Sequence, residues 1–201
     1  MKALFRLLFL SLALLSFVGD QASKYGIFRW LYNDGIGDQK QVVDGWFCLR
    51  ADYIPNGPEG DCALTTWSGK ILPRVNKGAL FGLGNEHEHR SNFFFACVSV
   101  AAAVFIFVWG FRKAGPKDRL LTFSLGLILG GTLGNFYDRV VFGGVRDFFD
   151  FYKIGFPVFN VADCCLVVGA FLLLTQAIFF TKPEQAPASG EETKTAFAVQ
   201  S

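Results

Sequence analysis

Three internal stretches of the chain carry no charged side chain and approach the length of a bilayer crossing: residues 93–111, 120–137 and 164–181. At about 1.5 Å of rise per residue, about twenty residues span a hydrocarbon layer about 30 Å thick. Lipid offers no partner to backbone N–H and C=O groups, so such stretches fold as helices. This excludes a soluble domain. With 52% hydrophobic residues, 18% charged residues and 24 phenylalanines, the composition agrees.

A fourth apolar run, residues 7–19, follows Lys2 and Arg6 and ends at Asp20. A signal peptide has a similar basic start and apolar centre. No Ala-x-Ala-like site closes the run, which favours a retained first helix. The segment from Arg112 to Arg119 holds four basic residues and one acid. Basic loops stay on the cytoplasmic side, so four crossings leave both termini there. Asp20, Asn76, Asp147 and Asp163 then lie on the outer side.

Residues 21–91 are the largest stretch outside the expected helices, with basic and acidic residues in equal number. Segments 45–49 and 63–67 read as short strands, separated by a Pro-Gly turn at 54–60. A small β-rich extracytoplasmic cradle is expected here, too small to be an independent domain. Cys48 and Cys62 flank the turn and are a candidate disulfide in an oxidising compartment; free thiols are the alternative. Cys97, Cys164 and Cys165 fall in helices and read as small packing groups. Glu86-His87-Glu88-His89 lacks the third or fourth ligand that zinc requires and reads as an interfacial polar cap. No metal or other cofactor is expected, and no basic patch interleaved with aromatics points to nucleic acid. The tail, 182–201, is expected to be a disordered cytoplasmic segment, leaving 1–181 as one membrane-embedded unit.

Chemistry concentrates between Gly130 and Asp163. Carboxylates at the ends of membrane segments persist when solvated, paired or functional. Asp147 and Asp163 are separated by a turn-rich link containing Gly155 and Pro157, so the chain can fold back and bring them together. Two facing carboxylates suggest aspartyl hydrolysis. Gly126, Gly130 and Gly134 share one helix face and permit close helix approach. Asn135 and Asp138 stand one turn apart, and Arg139 beside Asp138 reads either as its ion-pair partner or as an anchor of the loop among the headgroups. Asn160 is placed to cap the last helix. Asp150 reads as a solvated loop carboxylate.

At these residues the chain resembles the bacterial lipoprotein signal peptidases, signal peptidase II. The match runs through Gly134-Asn135-x-x-Asp138-Arg139, Gly143, Val145-x-Asp147-Phe148 and Phe159-Asn160-x-Ala162-Asp163. Asp20-Gln21-x-x-Lys24 and Asn76-x-Gly78-Ala79-x-Phe81-Gly82 agree with two earlier family segments. The resemblance implies an α-helical integral membrane protein with four transmembrane helices and an outer β-cradle. It implies that Asp147 and Asp163 are the catalytic pair, supported by Asn135, Asp138, Arg139, Asn160, Asn76, Asp20, Lys24, Gly134 and Gly143. Its substrates would be prolipoproteins whose lipobox cysteine carries diacylglycerol, cleaved just before that cysteine in the inner membrane. Globomycin-like inhibitors would bind, and nothing calls for more than a monomer. The distance from Asp20 to Asn76 is longer than the family pattern leads one to expect, which puts the cradle's shape in question. Two other classes, an ion path through Asp138, Asp147 and Asp163 or a silent assembly protein, do not account for the full spaced motif set.

Overall fold

The computed structural model describes residues 2–32, 37–53, 65–66, 69–70, 73–78, 88–113 and 119–179. Among these residues, four helices are long and apolar enough to cross a membrane: α1 (Lys2–Trp30), α2 (Glu88–Lys113), α3 (Arg119–Val141) and α4 (Val161–Phe179). Their surfaces explain the class. Leu14, Phe105 and Phe171 are large apolar groups left exposed on three different helices, as side chains facing lipid would be. A smaller internal core joins Phe9 and Ala13 of α1, Ala103 and Ile106 of α2, and Leu125 and Leu129 of α3.

Helix α3 is the centre of the bundle, packing on α1, α2 and α4. Its glycines allow this. A Cβ on Gly130 would lie 2.5 Å from both Ala13 O and Ser16 Cβ of α1, and one on Gly131 2.6 Å from Ala162 O of α4. The small-residue faces therefore seat two neighbours at backbone distance.

Among the described residues, five strands lie outside the helices: β1 (Gly37–Val43), β2 (Phe47–Asp52), β3 (Thr65–Thr66), β4 (Gly69–Lys70) and β5 (Phe149–Asp150). Strands β1, β2 and β5 form an antiparallel sheet with β2 in the centre; β3 and β4 form a separate antiparallel pair. Cys48 and Ala51 of β2 are fully buried, and Ala51 packs with Phe28, Leu31, Tyr53 and Phe148 beneath the sheet. The Tyr53 hydroxyl donates to Phe28 O, tying the sheet to the end of α1. A β-rich cradle is thus present, with two revisions. Strand β5 comes from beyond α3, outside residues 21–91. Helix α1 does not stop at Asp20 but runs ten residues further, to Trp30. No proline interrupts that continuation, and Lys24 sits one turn after Asp20 and neutralises it at 2.8 Å.

Cys48 is a free, buried thiol. Cys62, the partner expected for it, lies outside the described residues, as do the Pro-Gly turn and the tail 182–201.

Candidate active site

The C-terminal parts of α1 and α3 and the N-terminal end of α4 meet around a buried cluster of charges. Asp20, Lys24 and Asp138 are fully buried, and Arg146 is 1% exposed. Two acids face two bases, so the cluster is balanced, and each member has several partners. That is the condition for tolerating ions away from water. Lys24 Nζ lies 2.8 Å from Asp20 Oδ2 and 3.3 Å from Asp138 Oδ2. Arg146 donates to Asp138 through Nη2 at 2.9 Å, Nε at 3.2 Å and its own backbone N–H at 2.9 Å. Its guanidinium is sandwiched between Tyr25 and Phe142, 4.3 and 3.9 Å from the ring centroids. Gln21 stitches the rest together. It accepts from Arg146 Nη2 at 2.9 Å and donates to Asp20, Asp138 and the Gly134 carbonyl.

The cluster fixes the start of α4. Asp20 Oδ1 accepts the backbone N–H of Ala162 at 2.8 Å, one of the amides that a helix N-terminus leaves unpaired. Asn160 Oδ1 accepts the N–H of Asp163 at 3.1 Å, and Asp163 Oδ2 accepts the N–H of Asn160 at 3.2 Å. This reciprocal pair is a capping box, with Asp163 in the place usually held by Glu or Gln. The helix-capping role expected of Asn160 is present, and Asp163 takes part in it.

From that cap the network reaches the second carboxylate. Asn160 Nδ2 donates to Asp147 Oδ1 at 2.7 Å and to Asn135 Oδ1 at 3.2 Å. Asn135 Nδ2 donates to Asp163 Oδ1 at 2.8 Å, and its oxygen also accepts from Lys24 Nζ at 3.1 Å. Asn160 therefore holds both aspartates, one through its side chain and one through its backbone.

The other side of Asp147 is held by the loop before α2. Asn76 and Val145 exchange two backbone hydrogen bonds, at 2.7 and 2.8 Å. Asn76 Oδ1 accepts the N–H of Gly78, which turns Nδ2 toward Asp147 Oδ2 at 3.1 Å. A Cβ on Gly144 would lie 2.7 Å from Val75 Cγ2, so only glycine lets the loop approach this closely. Gly143, with φ of +71°, turns the chain from α3 toward Arg146 and Asp147. Burial, reinforced by the negative charge of Asp163, pushes the Asp147 carboxyl up to about 6 against the hydrogen bonds of Asn160 and Asn76.

Two expected roles are revised. Asp138 pairs with Lys24 and Arg146, whereas the Arg139 guanidinium lies over the Phe95 ring, 5.0 Å from its centroid, and Arg139 O accepts from Asn92. Adjacent helical residues point in directions about 100° apart, so Asp138 turns inward and Arg139 toward α2. Asp150 is 7% exposed in β5, with Arg50 Nη1 3.4 Å away, and is no solvated loop carboxylate. The sequence pattern assigns no role to Arg146, nor to Gln21 beyond its place in the Asp20-Gln21-x-x-Lys24 motif, yet both join the buried cluster. A second arginine between Asp138 and Asp147, close to membrane helices, was the available signal. Among the described residues, no group of three or more His, Cys, Asp or Glu side chains is placed to hold a metal ion.

Helices of this length and composition, gathered around a polar site at one end of the bundle, define a multi-pass membrane protein. A family model described as signal peptidase (SPase) II matches residues 12–179. A lipoprotein signal peptidase of Rhodopirellula baltica is 35% identical over 201 aligned residues, covering 92% of this chain and 78% of that protein. One from Geobacillus kaustophilus is 45% identical over 117 residues, covering 57% of this chain and 73% of that protein. A solved bacterial membrane enzyme shares the fold, with a TM-score of 0.63 at 24% identity over 86% of this chain and 94% of its own. The chain belongs to the signal peptidase II family of lipoprotein signal peptidases.

Proposed function

We propose that the protein is an aspartic endopeptidase that removes signal peptides from diacylglyceryl-modified prolipoproteins, cutting immediately before the lipid-bearing cysteine. The observation that carries this is the bridging of Asp147 and Asp163 by the one residue, Asn160. With both carboxylates held by one residue, and Asp147 pushed up to about 6 by burial and by the charge of Asp163, a single proton between them serves close to neutrality. The ionised member takes a proton from a water lying between them. The other member donates to the carbonyl oxygen as the tetrahedral intermediate forms.

Position supports the substrate class. Asp163 lies in the first turn of α4, and Asp147 lies in the link between the last two spans. A diacylglyceryl group can stay in lipid while the scissile bond reaches this boundary. The basic residues beside the spans support an inner-membrane orientation with both termini cytoplasmic and the site facing outward. In this reading 1–181 acts as one peptidase unit, working as a monomer and open to globomycin-like inhibitors.

The test is cleavage of a diacylglyceryl-modified prolipoprotein by the full chain in detergent. Asp147→Asn and Asp163→Asn are each expected to lower the rate by at least about 100-fold. Full activity in either variant would remove the dyad assignment.

A further inference from the structure

A cleft of about 390 Å³ opens directly from Asp147 onto the sheet, walled by Arg50 and Asp52 of β2, by Arg74 and Asn76, and by Val158 before α4. None of these residues lies in a membrane span. The two arginines differ in their surroundings. Arg50 is compensated by Asp52 at 3.0 Å and by Asp150 at 3.4 Å. Arg74 donates its backbone N–H to Asp52 O, which fixes its place at the rim. Its guanidinium has no carboxylate partner among the described residues, and the residue is exposed. Among the described residues, Arg74 is thus the cation of this cleft that has no carboxylate partner, and it stands outside the membrane spans.

We infer that this cleft receives the first residues after the lipid-bearing cysteine, and that Arg74 makes it select acidic side chains there. The inference rests on the proposed function. If the apolar signal segment and the acyl chains occupy lipid, the chain beyond the scissile bond is the part that enters water, and this cleft is the surface it meets. Charge complementarity at such a rim acts on selection among substrates more than on the chemical step.

Three diacylglyceryl-modified prolipopeptides test this, identical through the cysteine and carrying Asp-Glu, Ser-Asn or Lys-Lys next. They are cleaved by the full chain in neutral detergent at low salt. The wild type is expected to favour the acidic over the basic peptide by about fivefold in kcat/KM, the scale of a partly exposed ion pair. Arg74→Glu reverses the order, Arg74→Lys keeps it, and high salt narrows it. An unchanged ranking in Arg74→Glu, or an equal loss on all three peptides, overturns the inference. Equal cleavage of all three by the wild type, abolished by Asp147→Asn, sinks only this inference. Failure of the wild type to cleave any of them sinks it together with the peptidase reading.

Discussion

Replacing Asp147 with asparagine separates the electrostatic role of this side chain from its part in the chemistry, because the two effects have opposite signs. In the folded protein the Asp147 carboxyl is pushed from the ordinary 3.8 to about 6. A rise of about two in pKa corresponds to about 3 kcal/mol at about 1.4 kcal/mol each. Because the folded value lies above the unfolded one, the native state binds more protons between pH 4 and 6, and stability falls as pH rises through that window. Above it the wild type carries the whole penalty; below it, none. Asparagine never ionises and avoids the penalty at every pH. It keeps an oxygen for Asn160 Nδ2 but sets an amide against Asn76 Nδ2, whose own oxygen is occupied by Gly78. That lost hydrogen bond costs about 1 kcal/mol. The variant should therefore be about 2 kcal/mol more stable than wild type at pH 8 and about 1 kcal/mol less stable at pH 4. Thermal unfolding midpoints of both proteins in the same detergent, from pH 4 to 8, measure the difference. A gap that stays constant across the range would refute the electrostatic account of Asp147, whatever the loss of cleavage.

Three further substitutions probe the support around the pair. Gly134→Ala places a Cβ 2.5 Å from Asp20 Oδ2; the crowding should cost about 1–3 kcal/mol in unfolding and loosen the cap of α4. Arg146→Met leaves Asp20 and Asp138 with Lys24 as the only cation in the cluster, and should destabilise the fold by about 3–5 kcal/mol in the same melting assay. Asp150→Asn retains an acceptor for Arg50 and lies outside the network joining Asp147 to Asp163. Cleavage should stay within about fivefold of wild type, and a loss matching that of Asp147→Asn would place Asp150 in the chemistry.

The spans were legible because an uncharged run of membrane length has few other folds available. The end of α1 was not, since Asp20 reads as a terminus unless its neutralisation by Lys24 is recognised as a buried pair. Local spacing likewise exposed Asn160 and Asp163 as a helix start. Partnerships across the chain were harder. Strand β5 is two residues long, too short for any alternation to register, and exists because β2 lies beside it. Asp150 looked solvated because Arg50, its partner, lies 100 residues away. Asp138 and Arg139 looked like a pair because they are adjacent in sequence, a spacing at which helical side chains do not face each other.

The site also shows why buried charges stand behind a pair of aspartates. An asparagine amide can point either way, and the wrong way would set its oxygen against a carboxylate. Lys24 Nζ can only donate, so Asn135 must turn its oxygen toward Lys24, which aims its Nδ2 at Asp163. The same oxygen accepts from Asn160 Nδ2, and the Asp163 N–H occupies Asn160 Oδ1. The Asn160 amide is thereby committed to donating toward Asp147. At the far end the Gly78 N–H commits Asn76 in the same way. Among the described residues, the side-chain amides of Asn76, Asn135 and Asn160 therefore reach the two carboxylates as donors, each with its direction set by a group that cannot reverse. Lys24 is held in turn by Asp20 and Asp138, so the neutral cluster with Arg146 works as an anchor. It fixes the polarity of the hydrogen-bond chain from the membrane side, while the face of Asp147 toward the cleft remains open to water and substrate.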